Sequence, residues 1–444
     1  MNNIQKSMLA ASVVASLALV TTLFAQNPQA PSTKSNDQIT RENVDRMIEE
    51  GRQTFRFDTF GDEVFWGGAL KLHQAVIGSA LGGVGPGIPP RMALSVGLKV
   101  DVDALPASVR EGIANGKVNL ADPATTVALL QLNAVVGVTG FFDATGKVTS
   151  MGIQCSLCHS TVDDSFAPGI GRRRDGWANR DLNVGAIIAL APDLSLPAAM
   201  LGVDQATVRT VLNSWGPGKF DAELLLDGKG FRPDGKSAAV LIPPAFGLAG
   251  VNMGTWTGFG SATYWNAFVA NLEMHGSGVF YDPRLDDATQ FPVAKKARSF
   301  NVRSDADRIT PKLAALQFYQ LAIPAPQSVE KTNGFNFTAI RGLTLFNGKA
   351  QCSRCHVPPL FTEPGFNMHS AEEMGVDSFQ SDRSPTKMYR TSPLGGLITH
   401  EKGGFFHDGR FATLSAVVDH YDNLLGTGLT GQEKADLIAY LRTL

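Results

Sequence analysis

The sequence predicts a mainly α-helical protein with long loops, built from two similar halves and an N-terminal extension. Apolar residues recur at helical spacing in several segments, whereas no convincing run of alternating strand residues is found. Glycine occupies 46 of the 444 positions, which favours many loops. One short cysteine motif occurs twice, near residues 155 and 352, and this weak internal repeat indicates the two halves.

Capping and periodicity predict the individual elements. A first helix is expected from a Thr40 cap to about Phe55. Further helices are expected over residues 203–215 and 261–273, with an irregular loop over 243–260 before the second of them. Near the C-terminus, Thr430 and Glu433 form a capping box that opens an amphipathic helix.

The charge balance excludes two classes of partner. Lysine and arginine total 39 and aspartate and glutamate total 41, so the net charge is close to −2. Nucleic acids and anionic membranes attract proteins with an excess of positive charge. We therefore predict neither as a partner. The apolar fraction of 43% is ordinary for a globular protein and allows a core of real size.

The N-terminus has the layout of an export signal. Lys6 precedes an apolar run from Met8 to Phe24, and Ala25 is followed by a polar stretch. We predict a signal peptide over residues 1–25 and a periplasmic protein with no membrane contact after cleavage. Leu23 is imperfect for cleavage at Ala25, so retention as an N-terminal anchor is the alternative. No later run of about 18 apolar residues follows.

All four cysteines belong to two copies of one pattern, C-x-x-C-H. The copies are QCSLCHS, with Cys155, Cys158 and His159, and QCSRCHV, with Cys352, Cys355 and His356. This pattern is the attachment signature of c-type haem. On a helical turn, positions i, i+3 and i+4 share one face, so two thiols can bond the porphyrin while the histidine reaches the iron. We predict two covalently bound c-type haems. A thioredoxin-like redox pair or a zinc site is the alternative.

Both motifs follow similar lead-ins, GFFDATGKVTSMGIQCSLCH and GLTLFNGKAQCSRCH, in which Gly and then Phe precede the first cysteine. The predicted organisation is a signal peptide followed by three parts. These are an extension over residues 26–136 and cytochrome c-like haem domains over 137–330 and 331–444.

The stretch YRTSPLGGLITHEKGGFFHDGR, residues 389–410, and the chain after it resemble the bacterial dihaem cytochrome c peroxidases, including the dihaem enzyme that matures methylamine dehydrogenase. The resemblance is specific over residues 338–444 and patchy over 137–285, and residues 26–136 match nothing in this family. It implies that His159 is the proximal ligand of a peroxide-reactive haem and that His356 is the proximal ligand of a relay haem. More faintly, the long spacing and the extension resemble the dihaem rubber oxygenases.

Three positions take implied roles from the resemblance. Trp256, in the loop PPAFGLAGVNMGTWTG, takes the place of the tryptophan between the two haems; the alternative is a core tryptophan. Glu273, in ANLEMHG, takes the place of the distal acid/base, which moves a proton between the two oxygens of peroxide. A solvated Glu273, with His275 as the distal group, is the alternative. His407, in FFHDGR, matches a position near the relay haem.

The segment SAVVDHYDNLLG, residues 415–426, offers two adjacent candidate iron ligands. With Thr413 as the helix cap, Tyr421 falls on the apolar stripe of this helix and His420 lies about 100° away. Counted from FFHDG, Tyr421 also stands where the methylamine dehydrogenase-maturing enzyme carries a tyrosine. We therefore predict His356/Tyr421 ligation of the C-terminal haem. The alternative is that Tyr421 packs in the core while His420 or no residue binds the iron.

Other features are less specific. The arginines of GRRRDG, residues 171–176, are candidates for pairing with haem propionates, although a solvated turn is the simpler interpretation. Calcium, which the family binds between its domains, is doubtful because Thr399 is followed by HEKGG without the family's proline. His73, His369 and His400 have no motif and stay unassigned.

The predicted function is a peroxidase-type oxidoreductase that takes electrons from a periplasmic donor and reduces hydrogen peroxide. One alternative is an electron-transfer protein without catalysis. Another is a dihaem oxygenase that cleaves an apolar substrate with dioxygen. A carboxylate beside an open iron position favours the peroxidase, whereas an apolar distal pocket favours the oxygenase.

Overall fold

The computed structural model describes residues 34–328 and 336–444. The described residues are mainly helical, which confirms the predicted class. The α-helices are Asn36–Phe57, Leu72–Ile77, Pro90–Ser95, Ala107–Ala114, Pro123–Gln131, Ser156–His159, Val184–Ala189, Ser195–Leu201, Gln205–Ser214, Leu224–Asp227, Ala262–Phe268, Pro292–Ala297, Thr310–Ala322, Phe337–Asn347, Phe379–Asp382, Leu414–Leu425 and Gly431–Leu441. The predicted signal peptide lies outside the described residues.

Strands are short and occur in pairs among the described residues. The pairs are Val100–Asp101 with Ile170–Gly171, Val138–Phe142 with Val148–Ile153, Ser160–Val162 with Arg173–Asp175, Lys219–Phe220 with Val240–Leu241, and Val279–Tyr281 with Asn301–Arg303. The longest pair is an antiparallel hairpin that leads into the first cysteine motif. The sequence analysis did not identify this hairpin. Its turn depends on the Asp143 side chain, which accepts hydrogen bonds from the backbone amides of Thr145 and Lys147.

The first helix begins earlier than predicted. It spans Asn36–Phe57, and the cap is Ser35 rather than Thr40. The Ser35 hydroxyl accepts a hydrogen bond from the Gln38 amide at 3.2 Å, and the Gln38 side chain accepts one from the Ser35 amide at 2.9 Å. This reciprocal pair satisfies two amides that the helix itself leaves free, so it defines the start. Thr40 lies inside the first turns.

The other predicted helices and the loop are confirmed. Residues 205–214 are helical, and residues 262–268 are helical and continue as a π-helix over Val269–Glu273. No helix or strand occurs between Leu241 and Ala262. Thr430 and Glu433 form both hydrogen bonds of the capping box. Thr413 caps the Leu414–Leu425 helix, as predicted.

The same helix crossing occurs twice. At Gly51, an added Cβ would lie 2.0 Å from the Ala315 carbonyl oxygen, and at Gly342 it would lie 2.0 Å from the Asp436 carbonyl oxygen. Only glycine allows backbones to approach this closely. A phenylalanine four residues after each glycine packs on a tyrosine of the partner helix; the two ring pairs are Phe55 with Tyr319, at 5.7 Å between centroids, and Phe346 with Tyr440, at 5.2 Å.

This crossing corrects the internal alignment made from the sequence. The counterpart of Gly342 and Phe346 is Gly51 with Phe55, because both pairs lie on helices that cross a later helix. Gly140, which the sequence analysis aligned there, lies on a strand. The sequence does not reveal this relationship, because a long segment separates Phe55 from Cys155 whereas Phe346 lies just before Cys352. The domain boundaries at residues 136 and 330 stay predictions.

The apolar core has two main parts near the cysteine motifs. The largest cluster draws residues from 65 to 242 and so joins the extension to the surroundings of the first motif. A second cluster draws its residues from 343 to 444 around the second motif. The backbone from Met47 to Leu444 forms one compact unit. Over the ranges that the structure describes, no helix combines the length and the apolar character needed to span a membrane.

Candidate functional site

The first C-x-x-C-H motif borders a cavity of about 350 Å³. Cys155 precedes a single helical turn, Ser156–His159, so the thiols and the imidazole project from one turn as the motif predicts. The cavity brings together most of the site residues predicted for the first half: Cys155, Cys158, His159, Trp256, Glu273 and His275.

Burial keeps the groups of this motif uncharged. It raises the pKa of both the Cys155 and the Cys158 thiols to about 12, so they are protonated at neutral pH. Burial also lowers the pKa of His159 to about 4, and the nearby Arg180 adds to this, although the Pro243 carbonyl partly opposes it. The free thiols are not paired in a disulfide. A neutral imidazole is the form that binds a metal.

Glu273 borders the same cavity from the π-helix Val269–Glu273. Short π-helical segments frequently occur at functional sites because they redirect side chains. Burial raises the pKa of Glu273 well above its usual range, and the carboxylates of Glu223 and Asp221 raise it further. The carboxyl group is therefore poised to hold a proton next to the cavity.

His275, the alternative distal group, is held by the N-terminal extension. Its ring stacks on Phe65, with centroids 3.8 Å apart, and the next residue, Trp66, donates its indole hydrogen bond to the Met274 carbonyl at 3.0 Å. Burial lowers the pKa of His275 to about 4, so it is neutral at physiological pH. The segment Val64–Ala69 of the extension thus packs directly on the residues after Glu273.

A buried carboxylate cluster adjoins Glu273. Arg383 is fully buried and forms ion pairs with Asp221 at 2.9 Å and with Asp227 at 2.8 Å. Glu223 is also buried, and burial raises its pKa to about 7 although Arg383 opposes this. One oxygen each of Asp221 and Glu223 has no hydrogen bond partner. The sequence analysis missed this cluster; its signal is the run of acids in the apolar stretch FDAELLLDG, residues 220–228.

Buried Arg180 and half-buried Arg390 are suited to bind an anionic group. Arg180 and Arg390 form no ion pair with a described carboxylate, and each has a buried guanidinium nitrogen without a hydrogen bond. Burial lowers the pKa of each to about 10. Unpaired buried cations are costly, and haem carries two propionate carboxylates that would pair with them. Together with the two thiols and the imidazole, these residues fit a c-type haem.

The arginines of residues 171–176 are engaged elsewhere. Arg173 is paired with Asp101 at 2.7 Å, and the Arg174 guanidinium lies 4.9 Å from the Trp177 ring centroid. Arg172 is exposed. The sequence analysis singled out this triplet and missed Arg180 and Arg390. The signal for Arg390 is its place in the segment YRTSP, which belongs to the stretch that carries the resemblance.

The second motif also forms a helical turn, with the His356 amide donating to the Cys352 carbonyl at 2.9 Å. The His356 imidazole donates from Nδ1 to the Phe361 carbonyl at 3.0 Å. This contact orients the ring.

Tyr421 and His420 differ in their surroundings. Burial raises the pKa of Tyr421, and the neighbouring thiols of Cys355 and Cys352 raise it further, so the phenol lies near both thiols of the second motif. In contrast, His420 Nε2 donates to the Met374 carbonyl at 2.9 Å. Of the two candidate ligands, only His420 therefore has its side chain hydrogen-bonded to a backbone carbonyl.

Trp256 lies in a chain of contacts between the two halves. Its indole donates to the Leu241 carbonyl at 2.8 Å, and the Leu241 amide donates to the His407 carbonyl at 2.7 Å. The His400 ring lies 6.4 Å from the Trp256 ring, and Arg180 contacts His400 Nδ1 at 3.3 Å. Trp256 is also buried, so a packing role is compatible with its position.

The remaining histidines do not line the cavity at the first motif. His407 is buried and stacks on Tyr389, with centroids 5.1 Å apart. His73 is buried on the Leu72–Ile77 helix. His369 Nε2 lies 2.6 Å from Glu363, and these two with Cys355 form, among the described residues, the one trio of potential metal ligands within 4.8 Å of one another. Zinc at this trio is the local alternative to haem attachment at Cys355.

Comparisons with known proteins give partial matches. No family model matches the chain. The methylamine utilization protein MauG of Methylorubrum extorquens is 27% identical over 226 residues, which cover 46% of this chain and 63% of MauG. The chain therefore spans less than two thirds of this curated relative. The match confirms the resemblance to the bacterial dihaem cytochrome c peroxidase family that the motifs indicated.

Three solved structures overlap with parts of the chain. The diheme peroxidase BthA from Burkholderia thailandensis is 18% identical, with 52% of this chain and 78% of that chain covered and a TM-score of 0.31. A MauG-like protein associated with microbial copper homeostasis is 20% identical, with 50% and 76% covered and a TM-score of 0.32. Hydrazine synthase of Kuenenia stuttgartiensis is 23% identical, with 30% and 55% covered and a TM-score of 0.23. TM-scores this low do not establish a common fold.

Proposed function

We propose that the protein is a periplasmic dihaem c-type cytochrome that acts as a peroxidase-type oxidoreductase. One observation carries this proposal: the carboxyl group of half-buried Glu273, whose pKa is raised, borders the same cavity as Cys155, Cys158 and His159. A protein that only carries electrons has no need of an acid/base group beside its cofactor. The resemblance to MauG supports the same reaction class.

Each haem would be held by one C-x-x-C-H motif. Cys155 and Cys158 would bond the first porphyrin, with His159 as iron ligand, and the second motif would do the same through His356. Bound in this way, haem supplies an iron site where peroxide is reduced and a second iron that stores and delivers electrons. Arg180 and Arg390 would pair with propionates, because each has a buried guanidinium nitrogen without a hydrogen bond and neither has an acidic partner among the described residues.

Glu273 would act on the protons of peroxide. A carboxylate at this place accepts a proton from the near oxygen and returns it to the leaving oxygen, which makes that oxygen a better leaving group. The raised pKa of Glu273 favours the return step, because the group readily holds a proton. The phenyl ring of Phe65 and the indole of Trp66, which pack around His275 and Met274, would exclude bulk water from this step.

Trp256 would assist the passage of electrons from the C-terminal to the N-terminal haem. Its hydrogen bond to Leu241, and that of Leu241 to His407, give a short path of bonded groups towards the second half. The buried His400 ring lies beside Trp256, with the two ring centroids 6.4 Å apart.

We predict two covalent haems per chain. Changing Cys155 and Cys158 together to Ala is expected to remove one haem, and changing Cys352 and Cys355 together is expected to remove the other, because each thiol pair anchors one porphyrin. A pyridine haemochrome assay on purified protein measures the number. One haem in the unmodified protein, with zinc found by elemental analysis, would assign the trio of Cys355, Glu363 and His369 to a metal site instead.

We predict that Tyr421 is the second axial ligand of the C-terminal haem. Tyr421→Phe removes the ligating oxygen and is expected to change the absorption and paramagnetic resonance spectra of that haem, whereas His420→Ala is expected to leave them nearly unchanged, since His420 Nε2 is bonded to Met374. Spectra are compared in the ferric state. A shift in His420→Ala together with an unchanged Tyr421→Phe would assign the ligand to His420.

The activity itself is tested by mixing the reduced, haem-loaded protein with hydrogen peroxide and following reoxidation of the haems. We expect multiple turnovers with an added electron donor. Turnover no faster than that of free haem would contradict a peroxidase function.

A further inference from the structure

Peroxide reduction consumes protons that Glu273 alone does not supply. One hydrogen peroxide molecule, two electrons and two protons give two water molecules. Glu273 moves a proton from one oxygen of peroxide to the other, so it ends in the state in which it began and adds no proton to the sum. The two protons that are consumed must therefore reach the cavity through another group.

Glu223 borders the same cavity as Glu273. Its residue is only 4% exposed, it forms no ion pair with a described residue, and its Oε2 atom has no hydrogen bond partner. Buried polar atoms are normally hydrogen-bonded, so an unpartnered carboxyl oxygen at a cavity wall calls for a functional explanation. Exchange of a proton with the cavity is such an explanation.

The backbone of Glu223 is fixed by its neighbours. Its amide donates to the Asp221 side chain at 3.2 Å. Its carbonyl accepts hydrogen bonds from the Leu226 amide at 2.8 Å and from the Asp227 amide at 2.9 Å, at the start of the Leu224–Asp227 helix. These contacts hold the Glu223 side chain at the cavity wall.

The two other acidic residues of this cluster are paired with Arg383. Asp221 also borders the cavity, but it forms an ion pair with Arg383 at 2.9 Å. Both carboxylate oxygens of Asp227 accept hydrogen bonds from Arg383, and Asp227 is absent from the cavity lining. An arginine partner favours the charged form of a carboxyl group and so opposes the uptake of a proton. Glu223 is therefore better placed than either to carry a proton to the cavity.

The surroundings of Glu223 allow it both to hold and to release a proton at neutral pH. Burial raises its pKa to about 7, and the charges of Asp221 and Asp227 add to this. Arg383 and the Gln380 side chain act in the opposite direction. A general acid is most effective when its pKa lies near the working pH.

We propose that Glu223 is the proton donor of this site: it passes protons across the cavity to Glu273, which delivers them to the oxygens of peroxide. In each transfer the O–H bond of the Glu223 carboxyl group breaks and one forms on the Glu273 carboxylate, and Glu223 then takes up another proton from water. Two protons follow this route for each peroxide, while the electron donor supplies the two electrons. The proposal rests on the proposed function and adds a second proton-transferring residue to it.

The test on the haem-loaded protein compares the first reaction with peroxide and continuous turnover. In Glu223→Gln, the first reoxidation of the haems is expected to be no slower than in the unmodified protein, because that step uses the proton of peroxide itself. Steady-state turnover at saturating peroxide is expected to fall at least about tenfold, since an amide cannot serve as the acid. Stopped-flow and steady-state absorption measure the two rates.

A solvent isotope effect separates proton delivery from a structural role. The ratio of turnover in H₂O to turnover in D₂O is expected to be larger in Glu223→Gln than in the unmodified protein, because proton delivery then limits the rate. Glu223→Asp keeps an acid on a side chain one carbon shorter, so an intermediate turnover with a raised isotope effect is expected. This variant decides the question if Glu223→Gln does not fold.

Asp227→Asn is the matched control. It removes a buried negative charge from the same cluster but changes no residue of the cavity lining. Its turnover and its isotope effect are expected to be close to those of the unmodified protein. All variants are compared at equal haem content.

Turnover and an isotope effect in Glu223→Gln equal to those of Asp227→Asn would overturn the proposal. Equal slowing of the first reaction and of continuous turnover in Glu223→Gln would also overturn it, because a proton donor for later steps does not affect the first. In both cases turnover by the unmodified protein would leave the peroxidase function in place. No turnover by the unmodified protein would reject the peroxidase function, and the role of Glu223 with it.

Discussion

Glu273→Gln is expected to slow the reaction of the reduced protein with hydrogen peroxide by about 10²-fold or more. Glutamine keeps the size of the side chain but can neither accept nor return a proton, and losing a general acid/base typically costs about 10²- to 10⁴-fold. Stopped-flow reoxidation of the haems measures the rate. The matched variant His275→Gln is expected to have a much smaller effect, because the neutral His275 ring is stacked on Phe65.

The pH dependence gives a second readout of the same group. The pKa of Glu273 is raised by burial and by Glu223 and Asp221, so the carboxyl group is protonated below that pKa and cannot accept a proton from peroxide. The reaction rate is therefore expected to rise with pH through the pKa of Glu273, and Glu273→Gln should abolish this rise. Glu223→Gln removes one negative neighbour, lowers the pKa of Glu273 and shifts the rise to lower pH.

Equal rates for Glu273→Gln and the unmodified protein would show that Glu273 is not the acid/base. A large loss in His275→Gln, with little loss in Glu273→Gln, would assign the distal role to His275. Both variants are compared at equal haem content, so that a failure of haem attachment is not read as a loss of catalysis.

Arg383→Met is expected to lower the free energy of unfolding by about 3–5 kcal/mol, the usual cost of removing one partner from a buried ion pair. Arg383 is fully buried and pairs with both Asp221 and Asp227, so its loss leaves two buried carboxylates uncompensated, with Glu223 nearby. Methionine preserves most of the apolar volume, and the loss therefore reports the charge rather than a cavity. Urea unfolding of the haem-loaded protein, followed by circular dichroism, measures the change.

The control is Arg172→Met, which removes a paired arginine at the surface. Arg172 lies 3.9 Å from Asp103, and the two side chains are 73% and 67% exposed. Water and salt screen such a pair, so the change in stability is expected to be much smaller than for Arg383→Met. Similar losses in both variants would show that the cluster around Arg383 has no special role in stability.

Local patterns were sufficient for the parts of this protein that depend on neighbouring residues. Thr413 and the Thr430 capping box defined their helices correctly, because a cap is a contact between residues three apart. The C-x-x-C-H motifs gave the turns that carry the thiols for the same reason. The predicted start of the first helix was wrong because Thr40 is also a residue type that caps helices. The hydrogen bonds between Ser35 and Gln38 show that Ser35 forms the cap.

The sequence by itself determined the helical class and the two cysteine motifs, which depend on spacing within short segments. The candidates Glu273 and Trp256 came from the resemblance to the dihaem peroxidases, and Tyr421 came from that resemblance together with the apolar stripe of its helix. Only the tertiary structure decided which distant residues share a site. It brought the extension to Glu273, left Arg180 and Arg390 without acidic partners, and enclosed Asp221 and Glu223 around Arg383. Burial and charge pairing arise from contacts between residues far apart in sequence, and these contacts leave no periodic pattern in the chain.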